Sequence, residues 1–113
     1  MGAYKRIDRI SEEVKKELSL IVMELKDPRL KSCMVSVVNV NVTRDLKFAK
    51  AYISVFGDDE QKKGAIKALS GAAGFIRSEI GRRIDLRYTP EFTFVLDDSI
   101  EYGAHINEVL KGL

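Results

Sequence analysis

Four arginines follow a pair of closely spaced glycines, and guanidinium groups in such a position can bind phosphate. Gly71 and Gly74 interrupt an apolar pattern of helical spacing that runs from Leu69 to Ile84. Each interior glycine costs about 0.5–1 kcal/mol relative to alanine, which indicates a bend rather than one straight helix. A bend without a ligand is the alternative to a bend that admits a nucleic-acid backbone. The four arginines are Arg77, Arg82, Arg83 and Arg87.

Helical spacing predicts how the first three of these arginines are arranged. Ile76 and Ile80 mark the buried line of the second helix at about 100° per residue. Arg77 and Arg83 then fall on its flanks and Arg82 on its far side, all within reach of one solvent face. A purely solvated surface is the alternative for each residue taken alone. Further basic candidates for phosphate contacts lie around a predicted hairpin and at the start of the first helix: Arg44, Lys47, Lys50, Arg6 and Arg9.

An aromatic face on the second predicted strand offers another RNA-binding arrangement. Phe48, Lys50 and Tyr52 alternate with apolar residues and therefore share one face of the strand. A base could stack on such a ring beside the cation. Packing of the aromatic rings in the core, under a C-terminal helix, is the preferred interpretation because aromatic residues are good strand formers.

The sequence provides poorly for catalysis and for metal binding. His105 is the only histidine and Cys33 the only cysteine, so a His/Cys metal site has no support. Ser99 lacks the Gly-x-Ser-x-Gly turn of hydrolases, and helix capping accounts better for Asp98 and Ser99. Residues 71–74 lack the Lys-Ser/Thr ending of a nucleotide-binding loop. We therefore predict no catalytic residue, no metal site and no cofactor.

Apolar periodicity predicts the helices that position these residues. A long amphipathic helix begins at Ile7 and stops near Lys26, because Pro28 pushes the residue before it out of the helical region. The bent helix pair begins after residues 57–60, whose acids favour a helix N-terminus, and it runs to Ile84.

Three segments of alternating pattern predict a small three-stranded sheet. Residues 34–42 are rich in valine, residues 49–56 alternate, and residues 43–47 between them indicate a short hairpin connection. A third strand follows Pro90, and residues 97–99 cap a short final helix. The order helix, strand, strand, helix, bend, helix, strand, helix predicts an α+β layer of helices against the sheet. Periodicity leaves open how the third strand pairs and whether the helices share one face.

Length and charge narrow the class of protein. With 113 residues and 45% hydrophobic content, the chain is predicted to form one domain, residues 1–113. The net charge of +2 is small, but the charges are unevenly distributed. Residues 1–56 hold 11 Lys or Arg and 7 Asp or Glu, a net charge of 11 − 7 = +4. Residues 91–108 hold five acids and no Lys or Arg. The N-terminus is charged and no long apolar run follows, so we expect a cytoplasmic protein without a membrane segment.

The order of elements is that of a type II KH domain, which clamps a nucleic-acid backbone at a Gly-x-x-Gly bend between two helices. The usual clamp has polar or basic residues between its glycines, whereas this chain has Ala72 and Ala73. The chain more closely resembles the bacterial ribosome-binding factor A family, in which an Ala-x-Gly kink replaces the clamp. Ala72, Ala73 and Gly74 occupy the position of that kink, and Gly71 is a departure from the family pattern.

The resemblance extends over nearly the whole chain, and its motifs are specific in combination. It implies a type II KH-like α+β fold with a small three-stranded sheet, a kinked helix pair and a short C-terminal helix. The motifs are Lys26-Asp27-Pro28-Arg29, Asp45-Leu46, Ala49-Lys50-Ala51-Tyr52, Gly74-Phe75-Ile76-Arg77-Ser78-Glu79-Ile80-Gly81, Leu86-Arg87, Thr89-Pro90-Glu91 and Asp97-Asp98-Ser99-Ile100-Glu101-Tyr102-Gly103.

By the same resemblance, the protein is expected to be an assembly factor and not an enzyme. Such a factor binds the immature small (30S) ribosomal subunit and assists late maturation and processing of 16S rRNA, notably in the cold. The resemblance places the RNA contacts on the kinked helix pair and the surrounding basic residues. The acidic C-terminal segment is expected to face away from RNA or to meet a ribosomal protein, and we expect a monomer.

Two other functions stay open at the level of the residues. A generic single-stranded RNA-binding KH module would use residues 71–74 as a true clamp. An RNA-processing nuclease would need a divalent ion, which Asp58 with Asp59 or Asp97 with Asp98 could hold. Helix capping is the preferred explanation of both acidic pairs.

Overall fold

A computed structural model describes residues 2–97, with side chains from residue 6 onward. The predicted final helix lies outside the described residues. Within them, the predicted order of helices and strands is confirmed, with one short helix added. The elements are α1 (Gly2–Glu24), α2 (Pro28–Lys31), β1 (Met34–Val42), β2 (Phe48–Phe56), α3 (Asp59–Gly71), α4 (Ala73–Arg83) and β3 (Glu91–Leu96).

The first helix is amphipathic, as its apolar spacing predicts, but it begins at Gly2 rather than at Ile7. The side chains of Val14, Leu18 and Ile21 form its buried stripe and are 0% exposed. Burial of this stripe against the sheet and α4 holds the helix, since a lone amphipathic helix gains most of its stability from tertiary packing.

The predicted turn at Asp27 tightens into the single helical turn of α2. The Asp27 side chain accepts a hydrogen bond from the Arg29 backbone N–H at 2.9 Å, and Pro28 takes the first helical position, where its missing N–H is not needed. The Arg29 side chain also donates to the same carboxylate, and these hydrogen bonds lower the pKa of Asp27.

The central strand of the sheet is β2, which pairs antiparallel with β1 and parallel with β3. A parallel pair needs a long crossover, and α3 with α4 supplies it. On β2, Ala49, Ala51 and Ile53 are buried against the helices, whereas Phe48 is 53% exposed on the opposite face. The helices therefore share one face, and Phe48 does not pack in the core that residues 2–97 form. Packing of these aromatic rings under a C-terminal helix stays a prediction, because that helix lies outside the described residues.

The hairpin between β1 and β2 is held by one carboxylate. Asp45 Oδ1 accepts hydrogen bonds from the Thr43 hydroxyl at 2.7 Å and from the Lys47 backbone N–H at 3.1 Å. The hydroxyl contact is the main reason that the pKa of Asp45 is lowered. Leu46 has a φ of 62°, which L residues rarely adopt, and its side chain is 9% exposed. Burial of Leu46 and the Asp45 contacts offset this backbone strain and fix the hairpin tip.

The bend between α3 and α4 falls at Ala72, within the predicted kink of Ala72, Ala73 and Gly74. Ala72 has φ −93° and ψ 5°, ends α3 and precedes α4. Neither Gly71 nor Gly74 has a positive φ, and a Cβ atom at either position would meet nothing within 4 Å. Neither the backbone conformation nor the surrounding space therefore requires glycine at these two positions. The bend is a break in the helical backbone, not a consequence of side-chain crowding.

Candidate nucleic-acid interface

Three separate chain segments converge on a concavity of about 680 Å³. Its floor is apolar, and basic side chains stand around it. This volume lies within the roughly 300–1,000 Å³ typical of ligand sites. The residues that line it are Arg6, Ile7 and Ile10 from α1, Arg44, Asp45, Leu46 and Lys47 from the hairpin, and Arg87 and Tyr88 from the loop before β3.

A second concavity of about 550 Å³ continues from the first along α4. Arg87 and Tyr88 line both, so the two concavities meet at these residues. We call the combined surface the basic groove. The second concavity is lined by Gly74, Arg77, Ser78 and Gly81 of α4, together with Arg87, Tyr88 and Thr89.

The loop at the centre of the basic groove is fixed from both sides. Arg77 Nε donates a hydrogen bond to the Thr89 carbonyl oxygen at 3.2 Å, which ties the loop to α4. Gly81 lets this loop approach, because a Cβ atom there would lie 3.0 Å from Thr89 Oγ1. The Glu91 backbone N–H donates to the Lys47 carbonyl oxygen at 2.9 Å and ties the loop to the hairpin. Hydrogen bonds from the loop backbone to the Arg77 side chain and to the hairpin thus shape the groove before any ligand is present.

The cations of the basic groove are not neutralised by carboxylates of the described residues. Within residues 6–97, none of them forms an ion pair with a carboxylate. Among the described residues, Asp45 is the one acid that lines the groove, and its Oδ1 accepts hydrogen bonds from Thr43 and Lys47. Unpaired guanidinium and ammonium groups around a concave surface suit phosphate binding. These groove cations are Arg6, Arg44, Lys47, Arg77 and Arg87.

Arg82 and Arg83 lie elsewhere, which corrects the expectation that the α4 arginines reach one solvent face. Arg83 forms ion pairs with Glu24 at 2.8 Å, Glu79 at 3.5 Å and Glu17 at 3.7 Å, and its hydrogen bond to Glu24 raises its pKa. Arg82 pairs with Glu79 at 2.8 Å. The physical reason is helical geometry, because residues 77 and 83 flank the buried Ile76–Ile80 line on opposite sides.

Two further predicted cations stand outside the basic groove. Arg9 is exposed on α1 and does not line either concavity. Lys50 lies on the face of the sheet opposite the described helices, where its Nζ is 5.9 Å from the centre of the Tyr52 ring. The face carrying Phe48, Lys50 and Tyr52 is therefore a surface separate from the groove. The kink residues Ala72 and Ala73 are half-buried against the core, and only Gly74 reaches the groove.

Tyr88 is the groove residue that the sequence analysis missed. Tyr88 is 52% exposed, and the Arg87 guanidinium lies 5.7 Å from the centre of its ring. An aromatic residue beside an arginine, in a loop just before Pro90, is the signal that could have identified it. The apolar floor residues Ile7 and Ile10 were predicted only as part of the buried helix stripe.

The acidic pair at the start of α3 has a structural role. Asp58 Oδ1 accepts a hydrogen bond from the Gln61 backbone N–H at 2.8 Å, and Gln61 Oε1 accepts one from the Asp58 backbone N–H at 2.9 Å. This reciprocal pair caps the helix, as predicted. Among the described residues, no group of three His, Cys, Asp or Glu side chains could hold a metal ion. No helix there is both long and apolar enough to cross a bilayer.

Known proteins resemble this chain over almost its full length. The family model for ribosome-binding factor A matches residues 6–110. The ribosome-binding factor A of Caldanaerobacter subterraneus subsp. tengcongensis is 56% identical over 109 residues, which cover 96% of this chain and 88% of that protein. That of Acetivibrio thermocellus is 57% identical over 108 residues, which cover 95% of this chain and 87% of that protein.

Solved structures agree in fold. The crystal structure of ribosome-binding factor A from Thermus thermophilus superposes with a TM-score of 0.71 and 27% identity, covering 80% of this chain and 93% of that one. A Thermus thermophilus ribosome-binding factor A model, fitted into the cryo-EM map of a 30S complex, superposes with a TM-score of 0.64 and is 26% identical. The match covers 78% of this chain and 91% of that one. The predicted α+β, KH-like fold is confirmed, and the chain belongs to the ribosome-binding factor A family.

Proposed function

We propose that this protein binds the immature small (30S) ribosomal subunit through the basic groove and assists late maturation and processing of 16S rRNA, with a role in cold adaptation. The observation that carries the proposal is the convergence on one groove of five cations from α1, the hairpin, α4 and the loop before β3, which form no ion pair within residues 6–97. Family membership and the Thermus thermophilus relative fitted into a 30S complex support it.

The mechanism is conformational and needs no cofactor. Lysine and arginine side chains neutralise rRNA phosphates and release their counterions, which supplies affinity. Because the groove is set before binding, it favours the rRNA arrangement whose phosphates match its cations, and so shifts the subunit toward that arrangement. The protein acts in this scheme as a cytoplasmic monomer, and ribosomal proteins are further candidate partners.

A pair of double variants with equal charge change tests the role of the groove. R44A/K47A removes two positive charges from the rim, whereas R9A/K50A removes two from surfaces outside it. We expect R44A/K47A to weaken co-sedimentation with immature 30S subunits by at least tenfold in affinity, as two phosphate contacts are lost. The control R9A/K50A should change the affinity less than threefold.

Two outcomes contradict the proposal. Equal weakening by both double variants would mean that total charge, not the groove, determines subunit binding. Wild-type protein that binds any short single-stranded RNA as tightly as it binds the subunit would indicate a general RNA-binding module. Thermal unfolding of each variant, compared with wild type, separates lost contacts from lost folding.

A further inference from the structure

We infer that Tyr88 is a stacking platform for an unpaired nucleobase, so that the basic groove takes single-stranded rather than fully paired RNA. This inference rests on the proposed function and specifies the RNA class that the groove accepts. It is carried by the position of Tyr88, by the hydrogen bonds that anchor its loop and by the cations on both sides.

The ring is exposed where a ligand in the groove must pass. Tyr88 lies where the two concavities meet, and 52% of it is accessible to solvent. A large aromatic residue left this exposed in a cationic groove offers its flat face to a partner, and every nucleobase has a complementary face. Ile7, Ile10 and Leu46 on the groove floor extend this apolar surface.

Hydrogen bonds anchor the backbone beside Tyr88 before RNA arrives. The Thr89 carbonyl oxygen accepts a hydrogen bond from Arg77 Nε of α4. The Glu91 backbone N–H donates one to the Lys47 carbonyl oxygen of the hairpin. On the other side of Tyr88, the Arg87 guanidinium lies 5.7 Å from the ring centre, within the range of a cation–π contact. Little conformational entropy is lost when a base stacks on a ring that is already held.

The cations on either side of the ring fit the phosphates of a strand that continues past a stacked base. Arg77 lies in one concavity, and Arg44 and Lys47 lie in the other. In an A-form duplex the bases are paired and stacked inside, and the groove edges offer no free base face. Stacking on Tyr88 with phosphate contacts on both sides therefore requires an unpaired base.

The absence of tryptophan from the sequence allows a direct test. Y88W places one indole in the groove, and Y52W places one on the sheet face opposite the described helices, where Lys50 makes a similar contact at 5.9 Å. We expect a single-stranded oligoadenylate of about ten nucleotides to quench the fluorescence of Y88W and to leave that of Y52W unchanged. A blunt RNA duplex of the same length should quench neither.

Affinity for the same oligonucleotide gives a second readout. Y88F keeps the ring and should bind within threefold of wild type, whereas Y88A should bind roughly tenfold more weakly, the order of one lost stacking contact. If Y88A does not fold, the Y88W fluorescence and Y88F affinity decide the matter. Equal binding by wild type and Y88A, or equal quenching of Y88W by duplex and single strand, would overturn the inference.

The inference and the proposed function can fail separately. If Y88W fluorescence does not respond to single-stranded RNA while R44A/K47A still loses 30S binding, the stacking platform is wrong and the groove keeps its role. If R44A/K47A binds 30S subunits like wild type while the oligonucleotide quenches Y88W, the proposed function fails and the base-binding site stands.

Discussion

Arg83 contacts three glutamates of two helices, whereas Arg77, six residues earlier on the same helix, contacts a carbonyl oxygen and no carboxylate within residues 6–97. Spacing alone predicts both as exposed cations near a bend. It cannot separate them, because Glu17 and Glu24 become neighbours of Arg83 only when α1 packs against α4. A cation already paired with carboxylates has less charge to offer a phosphate.

This division between the two arginines predicts the effects of single substitutions. R83A should lower the melting temperature, because it removes three ion pairs, two of which join α4 to α1, and leaves two glutamates of α1 without a cation. R82A removes one exposed pair on the same helix, and such pairs contribute little. Circular dichroism melts of the two variants at low salt measure the difference, and equal melting temperatures would contradict a structural role for Arg83.

At the scale of elements, the glycines correctly predict where the helix pair bends but not how it bends. The helix is interrupted at Ala72, and a Cβ atom added at either glycine would meet no other atom within 4 Å. The hairpin was predicted from alternation, yet the positive φ of Leu46 could not be, because that conformation is usual for glycine or asparagine. Tertiary burial of the Leu46 side chain stabilises this conformation, and burial is not visible in local sequence.

The two glycines are a matched pair for testing close approach to the α4 backbone. The methyl group that G71A or G74A adds would lie in open space. Each substitution should therefore raise the free energy of unfolding by roughly 0.4–1 kcal/mol, because alanine has the higher helix propensity and lowers the entropy of the unfolded chain. Only Gly74 lines the basic groove, so G74A should weaken 30S binding if RNA passes against the backbone there. Urea unfolding and 30S co-sedimentation provide the two readouts, and equal binding by both variants would argue against close approach.

At the scale of the whole molecule, local periodicity predicts the order of helices and strands but not the pairing of β3. The parallel pairing of β3 with β2 joins strands that are far apart in the sequence, and it depends on the crossover through α3 and α4. The basic groove depends on that pairing, because it brings the loop before β3 beside the hairpin. Five of the predicted cations therefore line one groove, but local periodicity could not predict that they assemble there.

The assembled groove predicts how strongly salt opposes binding. Each neutralised phosphate contributes about −0.7 to −0.9 to the slope of log K against log salt, so five groove cations give a slope of roughly −3.5 to −4.5. Titration of 30S binding between low and moderate potassium chloride measures it. A slope near −1 would mean that most of the five cations do not contact RNA.

The basic groove also couples RNA occupancy to folding. Its lining runs from Arg6 to Thr89, so no short stretch of the chain contains it and the unfolded chain has no equivalent site. A ligand that binds only the native state stabilises it by about 2.7 kcal/mol at a free concentration one hundred times Kd. Protein held on rRNA is thereby protected from unfolding and from proteolysis, and protein released from it loses that protection.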